Sequence, residues 1–101
     1  MITYYTKEGK LTCADIYHIP FNRLHRLDGP AIEYSNGTKE WFQCGKCHRT
    51  DGPAVIWSDG DEEWWVNDKE LNTNEVEAWI NNNNIDLETK KHQVLFMLRF
   101  G

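Results

Sequence analysis

Five sets of side chains in this chain of 101 residues have types and spacing that suit chemistry. Cys44-Gly45-Lys46-Cys47-His48 matches the C-x-x-C-H pattern of covalent haem attachment. The same cysteines with His48 and His25 offer the ligand types of a zinc site. Glu33 and Glu40, opposed across a hairpin, would repel each other and raise one carboxyl pKa, as acid–base work requires. Asp59, Asp61 and Glu63 bring three acids to one loop, though without the twelve-residue calcium pattern and its central Gly. His25-Arg26 and His48-Arg49 would stack into a basic ladder beside aromatic rings, suited to a phosphate or nucleotide.

Each reading has a plainer rival. Haem attachment needs export, and the chain opens on no secretory apolar stretch. His48 is already explained by His25, which holds the same place one unit earlier. Asn67 and Glu70 stand where the cysteine spacing would repeat, and Cys13 makes the thiol count odd, against a disulfide framework. Free thiols, no metal and no cofactor are expected. Ile56 faces Glu63 where a second acid pair would sit, so a shared dyad is not part of the unit. P-loop, dinucleotide and nucleophile-elbow motifs are missing. The arginines would pair with Asp28, Asp51 or nearby glutamates while the histidines bond backbone. No catalytic residue is assigned.

The elements that position these groups come from one 23-residue pattern used twice, His25–Cys47 and His48–Glu70, identical at eleven positions. Such self-similarity marks a supersecondary unit that buries its apolar face against its neighbour. Asn36-Gly37 and Asp59-Gly60 predict two-residue type I′ hairpins. That register opposes Ile32 to Trp41, Tyr34 to Lys39, Val55 to Trp64 and Trp57 to Glu62. A core face then carries Ile32, Tyr34, Trp41, Val55, Trp57, Trp64 and Val66. The other face mixes Glu33, Glu40 and Glu63 with Phe42, Ile56 and Trp65. In Asp28-Gly29-Pro30 and Asp51-Gly52-Pro53 the Asp is expected to accept backbone N–H groups two residues on.

Residues 1–24 read as a degenerate hairpin unit capping the array: a strand over 2–6, a turn at Glu8-Gly9, a return over 11–17. Phe21–Leu24 fills the slot held later by Cys44–Cys47. After Leu71 the period changes to helical. Asn72 or Thr73 caps a first helix with Val76, Trp79 and Ile80 on one face. A second helix over 87–99, capped by Asp86, would bury Leu87, Val94, Leu95 and Leu98. The fold class is α+β: an antiparallel β-meander of stacked hairpin repeats with two short C-terminal helices, in one domain.

The units resemble those of MORN-repeat-like proteins, in the variant reading H-R-x-D-G-P-A, then Y/W-x-x-G-x-x-E-W, then N-G-K. His25, Arg26, Asp28, Gly29, Pro30, Ala31, Gly37, Glu40, Trp41 and Lys46 match, as does the second copy; Cys44, Cys47 and Glu70 depart from it. Similar units occur in small proteins of tailed bacteriophages and large DNA viruses. The resemblance implies a viral protein acting on a host, in host takeover or counter-defence.

The net charge of −5 argues against general affinity for nucleic acid or anionic membrane. No apolar run approaches a membrane span, so a cytoplasmic protein is expected, in the host cell if viral. Two function classes remain. One is a non-catalytic binder of a host protein, using Trp65 and Phe42 among Glu33, Glu40 and Glu63. The other sequesters a nucleotide-like ligand on His25, Arg26, His48 and Arg49. A zinc-dependent or structural role is a further alternative, and self-association is left open.

Overall fold

The turns decide the register, and they differ from the sequence expectation. In the computed structural model, which describes residues 1–101, Tyr34 N–H donates to Thr38 O at 2.9 Å and Gly37 N–H to Tyr34 O at 3.0 Å. Ser35-Asn36-Gly37 is therefore a three-residue loop. Gly37 alone takes the left-handed conformation, at φ +97, while the Asn36 carboxamide accepts the Thr38 N–H at 2.9 Å. Trp57–Asp61 repeats the arrangement, with Gly60 at φ +95. This is the type I turn closed by a glycine bulge, the next commonest hairpin after the two-residue form. Two-residue loops with positive φ on both residues occur instead at Cys44-Gly45 and Asn67-Asp68.

The extra loop residue slips the pairing by one and moves every residue of the return strand to the opposite face. Strand β3 (Ile32–Tyr34) pairs with β4 (Lys39–Glu40) so that Ile32 meets Glu40 and Glu33 meets Lys39. Strand β7 (Val55–Ile56) pairs with β8 (Glu62–Glu63) so that Val55 meets Glu63 and Ile56 meets Glu62. Glu40 and Glu63 thus share a face with Ile32 and Val55, contrary to the expected assignment.

Strands β1 (Ile2–Thr6) and β2 (Gly9–Cys13) complete an antiparallel sheet of order β2-β1-β3-β4-β7-β8. Beyond it, β5 (Phe42–Gln43) pairs with β6 (Lys46–Cys47), and β9 (Trp65–Val66) with β10 (Lys69–Glu70). Trp41 is the hinge between the two pairings: its N–H donates to Ala54 O and its carbonyl accepts from His48 N–H. Tyr5 does the same with Ala31 and His25. Residues 1–24 therefore supply the second half of a unit, with β1 in the role of β4 and β5 rather than as a first strand. The return stops at Cys13, because the Asp15 carboxylate accepts the Tyr17 N–H and turns Ile16–His18 into a 3-10 helix. Leu24 bridges to Thr6 and accepts Gly45 N–H as Cys47 accepts Asp68 N–H, the slot expected from the sequence.

Helix α1 (Thr73–Asn82) begins at Asn72, whose side chain accepts the Glu75 N–H at 3.0 Å. Helix α2 (Lys90–Phe100) starts later than expected. Asp86 accepts the Glu88 N–H and shapes the preceding turn, leaving Thr89 to cap the helix through His92 N–H. The buried face changes with it: Phe96 and Phe100 point inward, while Val94, Leu95 and Leu98 are exposed. Larger rings win the inner face because they bury more apolar area and meet Trp64 and Trp79 at 5.5–6.3 Å between centroids. Two cores result. One joins Ile2, Leu24, Ile32, Phe42, Cys47 and Val55; the other seats Trp64, Val66, Val76, Leu87, Phe96 and Phe100. No helix is long and apolar enough to cross a membrane.

Trp64→Ala is expected to cost about 3–5 kcal/mol, because it opens the helical core. Gly37→Ala is expected to cost about 1–2 kcal/mol from backbone strain alone, since nothing lies within 4 Å of the added Cβ. Urea titration measures both, and equal losses would contradict the placement of Trp64.

Candidate functional site

The His-Arg ladder is built by the unit and consumed by it. The Arg49 guanidinium lies 3.9 Å over the Trp41 ring of the preceding unit. Its Nε donates to Asp51 Oδ1 at 2.7 Å and its Nη1 to Pro53 O at 2.9 Å. Arg26 repeats this over Tyr5 at 4.0 Å, donating to Asp28 Oδ1 and Pro30 O, with a longer contact to Glu33 Oε1 at 3.3 Å. A Cβ on Gly29 or Gly52 would sit 2.9 or 2.8 Å from the guanidinium carbon, so glycine lets the loop close over the cation. Asp28 and Asp51 bond the arginines, not backbone two residues on, where Pro30 and Pro53 have no N–H to give.

The histidines serve the backbone. His25 Nδ1 accepts the Cys44 N–H at 3.0 Å and His48 Nδ1 the Asn67 N–H at 3.1 Å, each tying a unit to the next turn. Burial holds the His48 pKa below its ordinary value, which favours the neutral ring that such acceptance needs.

The glutamates are satisfied by aromatic donors. Tyr34 OH donates to Glu40 at 2.6 Å. Glu63 accepts two indoles, from Trp57 Nε1 at 2.8 Å and Trp65 Nε1 at 2.9 Å. Burial raises the Glu40 pKa, with Glu63 adding to the rise, while the Tyr34 hydrogen bond opposes it. The Tyr34 hydroxyl is pushed up by the same burial and by the carboxylate it bonds. Glu33 and Glu40 are not opposed, so the register on which a shared-proton dyad rests is absent. Glu33 instead lies opposite Lys39 and beside Arg26.

Two expected contact residues change status. Phe42 is buried in the first core against Phe21, and presents no ring to solvent. Trp65 is half-buried and packs on the same core. Within the two repeats the exposed ring is Trp57, 44% accessible and expected in the core; Tyr17 and Phe21 are exposed ahead of them. Reading Ser35-Asn36-Gly37 and Ser58-Asp59-Gly60 as three-residue loops would have placed Phe42 and Trp65 on the face of Ile32 and Val55; Trp57 keeps that face and is exposed where it flanks its loop.

Cys44 is exposed, with Sγ 3.7 Å from His25 Nδ1, and Cys47 is buried. Desolvation first, then Glu40 and other acids, push the Cys47 thiol up to about 12. All three cysteines are free thiols. No three His, Cys, Asp or Glu side chains converge to hold a metal ion. The site that remains is a half-open strip in which Tyr34 is held by Glu40, and Trp57 and Trp65 by Glu63. No protein-family model, curated protein or solved structure matches this chain.

Arg49→Lys is expected to destabilise by about 1–3 kcal/mol, since an ammonium loses the flat stack and the two-point fork. A thermal melt checks it, and Arg26→Lys should behave alike. For Glu40 the folded pKa lies above the unfolded one, so the folded state binds the extra proton. Its ionisation therefore lowers stability as pH rises through the window above 4.5. Relative to wild type, Glu40→Gln is expected to gain stability from pH 4 to 7 in denaturant titrations; a constant difference would contradict the burial of this carboxyl.

Proposed function

We propose that this protein is a non-catalytic binding module that works by occupying the surface of another protein. The observation that supports the reading most is the Trp57–Glu63–Trp65 bridge. One carboxylate fixes two indoles and leaves Trp57 standing at the surface beside the acidic tip Asp59–Asp61. A large rigid ring held in a polar surround loses little conformational freedom on contact, which is the usual anatomy of a binding hot spot. The acidic tip and the net charge of −5 suit a basic partner. The resemblance of the units to those of small bacteriophage and large-virus proteins makes that partner a host protein, in host takeover or counter-defence. Sequestration of a nucleotide-like ligand has less to stand on, because the Arg26 and Arg49 donors are tied to Asp28, Asp51 and backbone carbonyls.

The test is capture of a host protein on the tagged chain, followed by titration of the purified pair. Trp57→Ala is expected to weaken binding by at least about ten-fold, the loss of a hot-spot ring, while the chain stays folded because Trp65 still donates to Glu63. Rising salt should weaken wild-type binding as well. Unchanged affinity in Trp57→Ala would overturn this placement. Release of a bound nucleotide from the purified wild-type chain would favour the ligand reading.

A further inference from the structure

The charge of this molecule is unevenly laid out. Lys90–Gly101 holds Lys90, Lys91 and Arg99 and no Asp or Glu, so all sixteen acids lie in the first 89 residues. None of these three cations makes an ion pair, whereas Arg26 and Arg49 are both neutralised within the fold. They rim an apolar surface. Lys91, Leu95 and Leu98 fall at i, i+4 and i+7 along α2, one stripe of a helix. Leu98 is 78% and Val94 59% exposed, an outer apolar face on a helix whose inner face is filled by Phe96 and Phe100. Between α1 and α2 the stripe borders an open cleft of about 490 Å³, lined by Trp79, Ile85, Leu95 and Leu98 together with Lys91, His92 and Arg99.

We propose that this cleft docks an acidic amphipathic segment of a partner protein, with apolar side chains on the Trp79–Leu98 floor and carboxylates on Lys91 and Arg99. The charge pattern selects this occupant. A two-fold contact between copies would set Lys91 and Arg99 of each chain against the same cations of the other, a like-charge juxtaposition that opposes association. An anionic bilayer would meet only three exposed apolar side chains on an eleven-residue helix, in a molecule of net charge −5. A cleft, in contrast, receives individual side chains. The surface is separate from the Trp57 strip and of opposite charge, so the two would take different partners or different parts of one.

The experiment titrates the isotope-labelled full chain with a synthetic peptide carrying leucine and glutamate at helical spacing, read by NMR. Versions with glutamine or lysine in place of glutamate serve as controls. Shifts are expected at the Trp79 indole, Ile85, Leu95 and Leu98, with the glutamate peptide tightest and its affinity falling with salt. Leu98→Asp and Lys91→Glu, both at exposed positions, should each weaken binding at least about ten-fold while melting temperature holds. Trp57→Ala should leave peptide affinity unchanged, which separates this site from the proposed function. Equal binding of the glutamine peptide, or full affinity in Leu98→Asp, would overturn the proposal. So would a wild-type dimer dissolved by Leu98→Asp, or binding to phosphatidylserine vesicles through α2 without binding of the peptide.

Discussion

The stacking of an arginine between units is the contact on which the architecture depends. A hairpin of two-residue strands cannot hold itself in water, and these strands are no longer than that over much of the sheet. Arg49 closes the gap by lying on the Trp41 ring below it while its own loop wraps it from above through Asp51, Gly52 and Pro53. The exposed ion pair adds little by itself. Stacking on a ring, together with a charged bond to a carbonyl, contributes on the order of a kcal/mol or more each. Arg26 on Tyr5 repeats the contact one unit earlier. At the other end no arginine follows Trp64, and its ring is covered by Phe96 instead. The helices thus replace the missing next unit.

The second constraint is the half-burial of two carboxylates. The slipped register places Glu40 and Glu63 beside Ile32 and Val55, where water is scarce and an unpaired charge is costly. The unit answers with an aromatic donor six residues before each acid, Tyr34 for Glu40 and Trp57 for Glu63. This explains why Tyr/Trp and Glu travel together in the repeated pattern. The same requirement that stabilises the sheet leaves Trp57 fixed at the surface, so packing and contact chemistry share one set of residues.

Charge is segregated along the chain as function is. The acids all precede α2, and the repeats use their arginines internally; Lys90, Lys91 and Arg99 of α2 pair with no acid. A helix with Phe96 and Phe100 inside and Leu95 and Leu98 outside is apolar on more than one side, which its role as a lid over Trp64 does not require.

By itself the sequence determined whatever depends on short-range chemistry. The 23-residue period, the turns at Gly37 and Gly60, the Asn72 cap and the change to helical spacing after Leu71 are local, and so they were legible. The pairing of Arg26 and Arg49 with Asp28 and Asp51 was legible for the same reason. Faces were not, because they hang on a single residue of loop length: Asn36-Gly37 fits both a two-residue and a three-residue turn, and only tertiary packing chooses. That choice buried Phe42 and brought Glu40 and Glu63 among apolar side chains. On α2 the aliphatic stripe of Val94, Leu95 and Leu98 reads as core from its spacing. Only the presence of Trp64 and Trp79 in three dimensions, offering rings for Phe96 and Phe100 to pack on, decided which stripe went inside and which was left to meet a partner.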